Sequence, residues 1–186
     1  MARLTLNERF TLDAPPARTW EFLRDPERTV VCLPGATLTE TVDERTYRGN
    51  VTVQVGPVTV RYSGEAVFEE RDDAARRMVM RAEGREAKGS GTATMTMTGL
   101  VEEAEGGGSA VSVNAEVEVA GKIVRFGRGM IERVNQEVFR EFTACLGEQL
   151  EGAAAEREEA EAAPPNALVF VWRALVRWLK ELAGRG

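Results

Sequence analysis

The sequence predicts an α+β fold in which a curved, seven-stranded antiparallel sheet wraps around one long helix. Three observations support this: seven segments alternate apolar and polar residues, two short helical segments follow the first of them, and a long segment with a single apolar stripe follows the last. A helix with one apolar stripe can bury it against the apolar side of such a sheet.

The predicted strands have the period of two that is typical of strands with one buried face. They cover residues 3–12, 36–42, 46–55, 58–69, 75–86, 90–101 and 110–119. Two short helices, over residues 17–24 and 25–31, separate the first strand from the second. Because each strand is apolar on one side only, the sheet is expected to keep one face in water.

The long helix is predicted over residues 127–150, which contain no proline. Its apolar residues recur every three or four positions, at Met130, Ile131, Val134, Val138, Phe142, Cys145 and Leu146. Residues 1–150 are therefore expected to form one domain. Residues 151–165 are rich in Ala and Glu and are predicted to be a charged linker, although this segment could also extend the helix. An extra amphipathic helix is predicted over residues 166–186.

The composition excludes several classes of function. The chain has 186 residues, no histidine and a net charge of −6, which rules out histidine-based nucleophile schemes and histidine-ligated metals and argues against nucleic acid as a partner. Cys32 and Cys145 lie in apolar surroundings and are predicted to be unpaired, buried residues in a reducing compartment. The first ten residues lack the apolar core of a signal peptide, so a cytoplasmic location is expected.

Several short segments, taken together and in order, resemble a known family. They are FTLDAPPARTWEFLRDPE near the start, CLPGA at 32–36, VTVQVGPV at 51–58, AKGSGTATM at 87–95 and VEVAGKIVRFGRGMIE at 117–132. The chain resembles the START-like (SRPBCC, helix-grip) superfamily and, within it, the carbon monoxide dehydrogenase G subunit (CoxG) family. The resemblance covers roughly residues 4–150.

The resemblance implies a ligand-binding accessory protein without catalytic residues. Such proteins would bring a molybdenum hydroxylase, such as carbon monoxide dehydrogenase, to the inner face of the cytoplasmic membrane, and would bind a quinone or lipid between sheet and helix. The sequence holds no molybdenum, iron–sulfur or flavin motif, so no cofactor or metal is expected in this chain itself.

Methionines point to the candidate ligand site. Flexible thioethers suit an adaptable apolar surface, although they could equally fill an irregular core. Tyr62 could donate to a quinone carbonyl or make a structural hydrogen bond, and Phe126 is a candidate gate. The candidate ligand-binding residues are Tyr62, Phe68, Met78, Met80, Met95, Met97, Phe126, Met130 and Val134.

Two other functions stay open at this stage. Glu65, Glu83 and Glu86 are interpreted as surface charges, so no acid–base pair is assigned. A buried carboxylate or a Tyr/Asp pair inside the cavity would instead favour an enzyme acting on a small hydrophobic substrate. A completely filled core would favour a scaffold without a ligand.

The C-terminal segment has the pattern of a helix that lies on a membrane surface. Four basic residues and one acidic residue give residues 167–186 a charge of +3, which leaves −9 on the rest of the chain. The candidate membrane-binding residues are Leu168, Trp172, Arg173, Leu175, Arg177, Trp178, Leu179 and Lys180. The same helix could pack on a partner, on a second copy or on its own domain.

Overall fold

Seven strands build the antiparallel sheet that the sequence predicts. The computed structural model describes residues 1–162, with side chains for residues 1–127 and 129–151. The strands are β1 (Ala2–Leu12), β2 (Ala36–Thr41), β3 (Thr46–Val55), β4 (Val58–Asp72), β5 (Arg77–Glu86), β6 (Thr92–Glu103) and β7 (Ser109–Ala120). Their order in the sheet is β1-β7-β6-β5-β4-β3-β2. The chain therefore crosses from one edge to the other once, between β1 and β2.

Short helices make that crossing. They are α1 (Pro16–Leu23) and α2 (Pro26–Thr29), and a 3₁₀ turn at Val30–Cys32 follows α2. Proline lies in the first turn of both helices, where its missing N–H costs no hydrogen bond. Asp25 caps α2 by accepting hydrogen bonds from the backbone N–H groups of Glu27 and Arg28.

The long helix, α3, runs from Arg128 to Ala162 and follows a short 3₁₀ turn at Lys122–Phe126, which we call the connecting segment. Residues 151–162 therefore extend the helix, which was the alternative to the predicted charged linker. The chain divides into two compact units, Met1–Leu150 and Glu151–Gly186. The helix predicted over 166–186, with its candidate membrane-binding residues, lies outside the described residues. No helix in the described part of the chain is long and apolar enough to cross a membrane.

Strand register places the apolar side chains of neighbouring strands in rows on one face, which we call the inner face. One row joins Phe68, Met80, Met97, Ala115 and Leu6 across five strands. The first turns of α3 pack against one end of this face, where Ile131 and Val134 join a cluster with Val55 and Val119. Near the other end, Phe139 meets Phe10 edge to face, with ring centroids 5.5 Å apart.

The middle of α3 is bonded covalently to the 3₁₀ turn after α2. Leu146 and Leu150 pack with Phe22 in a buried cluster, and this packing brings Cys32 and Cys145 together. The two sulfurs form a disulfide, with Cα atoms 5.4 Å apart. The prediction of two unpaired cysteines was wrong, because local apolar surroundings do not reveal which distant cysteines meet in the fold. The cysteines therefore no longer support the reducing compartment that was predicted from them, because disulfides are rare in such compartments.

We predict that removing this disulfide lowers the free energy of unfolding by about 2–5 kcal/mol, because it closes a long loop in the unfolded chain. Urea unfolding of the Cys32→Ala/Cys145→Ala variant, compared with oxidised wild type, measures this difference. Wild type in a reducing agent is the control and should match the variant. Two free thiols in the oxidised wild type, with no effect of the reductant, would contradict the assignment.

Candidate ligand-binding site

The centre of the inner face carries unusually little side-chain volume. Four adjacent positions on β4 and β5 hold only glycine or alanine: Gly64, Ala66, Ala82 and Gly84, with Gly64 paired to Gly84 and Ala66 to Ala82. We call these four residues the small-residue patch. Larger side chains flank it on both sides, with Phe68 and Met80 on one and Tyr62 and Glu86 on the other.

The backbone bends sharply at this patch. A Cβ atom on Gly64 would lie 2.0 Å from the carbonyl oxygen of Glu83, and one on Gly49, the next strand's partner of Gly64, would lie 2.6 Å from the carbonyl oxygen of Thr37. Both distances are far below van der Waals contact, so only glycine permits this curvature. Because these four side chains are so small, we infer that the inner face is low at this bend, and we call this area the depression.

Apolar atoms around the patch remain accessible to water. Ala66, Ala82 and Met95 are half-buried, as are Met80 and Met97 in the neighbouring row. Val51 also points to the inner face and is 44% exposed. Partial exposure of side chains on the face that α3 contacts at both ends indicates space between the sheet and the helix.

The other predicted ligand residues divide into two groups. Phe68 and Met78 are buried in a cluster with Trp20 and Tyr47, which is a packed core. Phe126 and Val134 pack on the opposite cluster, around Val55 and Ile131. Met130 is 36% exposed at the margin of α3, and Ile131 is the buried residue of that turn. The assignment of all nine residues to a ligand remains a prediction.

A polar cluster closes one side of the depression. Tyr62 and Glu86 are paired across β4 and β5 and share the inner face. The Glu86 side chain is only 5% exposed, and its Oε1 lies 2.7 Å from Nζ of Lys122. The backbone N–H of Gly91 donates to Glu86 Oε2 at 3.2 Å. The prediction that Glu86 is a surface charge was therefore wrong, because its parity turns it inward.

Glycines surround the Glu86 carboxylate. A Cβ atom on Gly89 or Gly91 would lie 2.4 or 2.7 Å from Glu86 Oε2, and one on Gly121 would lie 2.6 Å from the Cα atom of Gly91. Gly121 also has a φ of 105°, which other residues rarely adopt. Two of the segments that carry the family resemblance, 87–95 and 117–132, thus meet at this carboxylate.

Comparison with known proteins agrees with this fold and these segments. The family described as the carbon monoxide dehydrogenase G subunit (CoxG) matches residues 9–151. The chain belongs to the CoxG family. No match was found among curated proteins.

Solved structures place this CoxG-family chain in the START-like fold. A conserved protein from Geobacillus kaustophilus is 16% identical with a TM-score of 0.72, and the match covers 81% of this chain and 97% of that one. A protein from Thermus thermophilus is 19% identical with a TM-score of 0.60, covering 81% and 99%. An aromatase/cyclase from Streptomyces sp. R1128 is 15% identical with a TM-score of 0.58, covering 79% and 93%. At these identities the likeness establishes the fold alone.

The outer face of the CoxG-family sheet is polar. It holds a groove of about 560 Å³ that is lined by Gly64 and Gly84 of the small-residue patch and by the charged residues Arg48, Glu65, Glu83 and Arg85. Arg48 binds both Glu40 and Glu65, at 2.9 and 3.1 Å, and Glu83 pairs with Arg81. The prediction that Glu65 and Glu83 are surface charges is confirmed.

Sequence reasoning identified the methionines around the depression but missed the small-residue patch. The signal was present in the alternation of the strands, because these four residues lie an even number of positions from the candidate residues Phe68 on β4 and Met80 on β5. Their significance appears only when register sets the two strands side by side.

We predict that Ala82→Leu changes the free energy of unfolding by less than about 1 kcal/mol, because the added atoms enter the depression. Ala115→Leu is the matched control: it is also an inner-face alanine, but it is 5% exposed, and overpacking there should cost about 1–3 kcal/mol. Denaturant unfolding of both variants measures the contrast. Equal losses would mean that the two sites are equally filled.

Proposed function

We propose that this protein is a non-enzymatic accessory protein that binds a hydrophobic ligand, such as a quinone or lipid, on the inner face of its sheet. The observation that carries the proposal is the half-buried apolar surface around the small-residue patch, between two packed clusters. Concave apolar sites with a few polar groups are the usual form of small-molecule sites.

Membership of the CoxG family supports a finer proposal about partners. The family name refers to a component of carbon monoxide dehydrogenase, so we propose that the protein recruits or couples a molybdenum hydroxylase of this kind. The redox cofactors would belong to that partner. The ligand would then be an apolar molecule that moves between the partner and the membrane.

The C-terminal segment supports a peripheral location at the inner face of the cytoplasmic membrane. Its basic residues include Arg173, Arg177 and Lys180, and each basic residue contributes about 1 kcal/mol near anionic lipid. Its large apolar residues would add the burial of their side chains in the interface. The acidic remainder of the chain would stay in water.

A second candidate is an enzyme that acts on a hydrophobic substrate in the same depression. It is favoured by the buried Glu86 beside Tyr62, which is the kind of pair that an acid–base mechanism needs. However, Lys122 and Gly91 occupy both carboxylate oxygens. Because Glu86 is held in an ion pair, we propose ligand binding rather than catalysis.

Flotation with anionic liposomes tests this function through two readouts. We expect the full chain to float with the liposomes and a chain that ends at residue 163 to remain in the dense fraction. Organic extraction of the truncated protein after the incubation should recover an apolar molecule from the liposomes, because the proposed site lies within residues 1–150.

The two readouts can fail independently. Equal flotation of both chains would overturn the role of the C-terminal segment in membrane binding. Recovery of no apolar molecule with either chain, from liposomes that contain both quinone and phospholipid, would overturn ligand binding.

A further inference from the structure

Tyr62 stands out among the inner-face residues because its ring is buried while its hydroxyl is left without a partner. The residue is 7% exposed, and no described residue accepts or donates a hydrogen bond at its hydroxyl. The hydroxyl oxygen is not among the fully buried polar atoms that lack a partner, so it reaches water when no ligand is bound. A phenol in this state is available to a molecule that the protein binds.

The position of Tyr62 connects it to the depression. It is the inner-face residue that precedes Gly64 on β4, and it pairs with Glu86 on β5. Its Cδ1 atom lies 4.0 Å from where a Cβ atom of Gly84 would be, so the ring contacts the edge of the small-residue patch. A ligand bound in the depression would contact apolar residues of the sheet along its length and the Tyr62 hydroxyl at one end.

The surroundings of Tyr62 disfavour a negative charge. Burial, and secondly the charge of Glu86, raise the pKa of Tyr62 above its ordinary value, so the hydroxyl stays protonated and can donate. Lys122 is already paired with Glu86. A carboxylate placed beside Tyr62 would lie next to the Glu86 carboxylate, whose positive partner Lys122 is already engaged.

We propose that the Tyr62 hydroxyl donates a hydrogen bond to the carbonyl oxygen of an uncharged head group on an otherwise apolar ligand. The inference rests on the proposed ligand-binding function and makes it more specific. Quinones and acylglycerols share this chemistry, whereas ionised fatty acids do not. The Glu86–Lys122 ion pair lies next to Tyr62, because Glu86 is the cross-strand neighbour of Tyr62.

Four probes with the same ten-carbon chain test the proposal on the full-length protein: decyl-1,4-benzoquinone, glycerol monodecanoate, decylbenzene and decanoate. Each dissociation constant is measured by displacement of a fluorescent apolar reporter. Tyr62→Phe should weaken binding of at least one of the two uncharged carbonyl probes by about three- to tenfold, the effect of one lost hydrogen bond. Its binding of decylbenzene should change less than twofold. The carbonyl probe that responds identifies the source of the head group.

Tyr47→Phe is the matched control. Tyr47 is the chain's other tyrosine, is also buried, and donates its hydroxyl hydrogen to the carbonyl oxygen of Glu44 at 3.0 Å. This variant should bind all four probes like wild type. Thermal unfolding of both variants verifies that they remain folded.

The possible outcomes distinguish a failure of the proposed role of Tyr62 from a failure of ligand binding itself. If wild type binds probes but Tyr62→Phe weakens the carbonyl probes and decylbenzene equally, or weakens none, the role of Tyr62 is overturned. Tighter binding of decanoate than of both carbonyl probes would overturn the preference for an uncharged head. If no probe displaces the reporter from wild type, ligand binding itself fails.

Discussion

At the centre of the sheet, strong curvature requires residues with little or no side chain, and these residues cannot fill the core there. A sheet that curls around a helix must bring β4 close to β5, and Gly64 permits this because any Cβ atom would collide with the carbonyl of Glu83. The same requirement removes side chains from the point where the core of an ordinary domain would be densest. Ala66 and Ala82 extend the gap, so the inner face is packed at its ends and open between them.

The connecting segment shows how the polar end of this face is built. Its first residue, Lys122, neutralises Glu86, and the glycines at 89, 91 and 121 allow the β5–β6 turn and the end of β7 to approach that carboxylate closely. Burial of an unpaired carboxylate would raise the free energy of the folded state strongly, whereas burial of a paired and hydrogen-bonded carboxylate is tolerated. The last residue, Phe126, contacts the position of a Cβ on Gly56 in the β3–β4 turn, at 3.8 Å. Electrostatic and apolar contacts thus fix the two ends of the segment.

The sequence predicts the fold well because alternation of period two is unambiguous over seven long strands. It predicts the inner-face methionines for the same reason. It fails where two distant segments must meet. The Cys32–Cys145 disulfide, the burial of Glu86 by Lys122 and the adjacency of Gly64 and Gly84 all depend on register or tertiary packing. Local pattern also placed Met130 on the apolar stripe, although Ile131 is the residue that is buried.

The most direct test of an open inner face is carbon-13 NMR of the methionine methyl groups, assigned with single Met→Leu variants. Adding decylbenzene to the full-length protein should shift the resonances of Met80, Met95 and Met97, which are half-buried. Met78, 5% exposed within the packed cluster, should move much less. Unchanged resonances of all three half-buried methionines at saturating ligand would contradict the account, because the guest would then lie elsewhere or be absent.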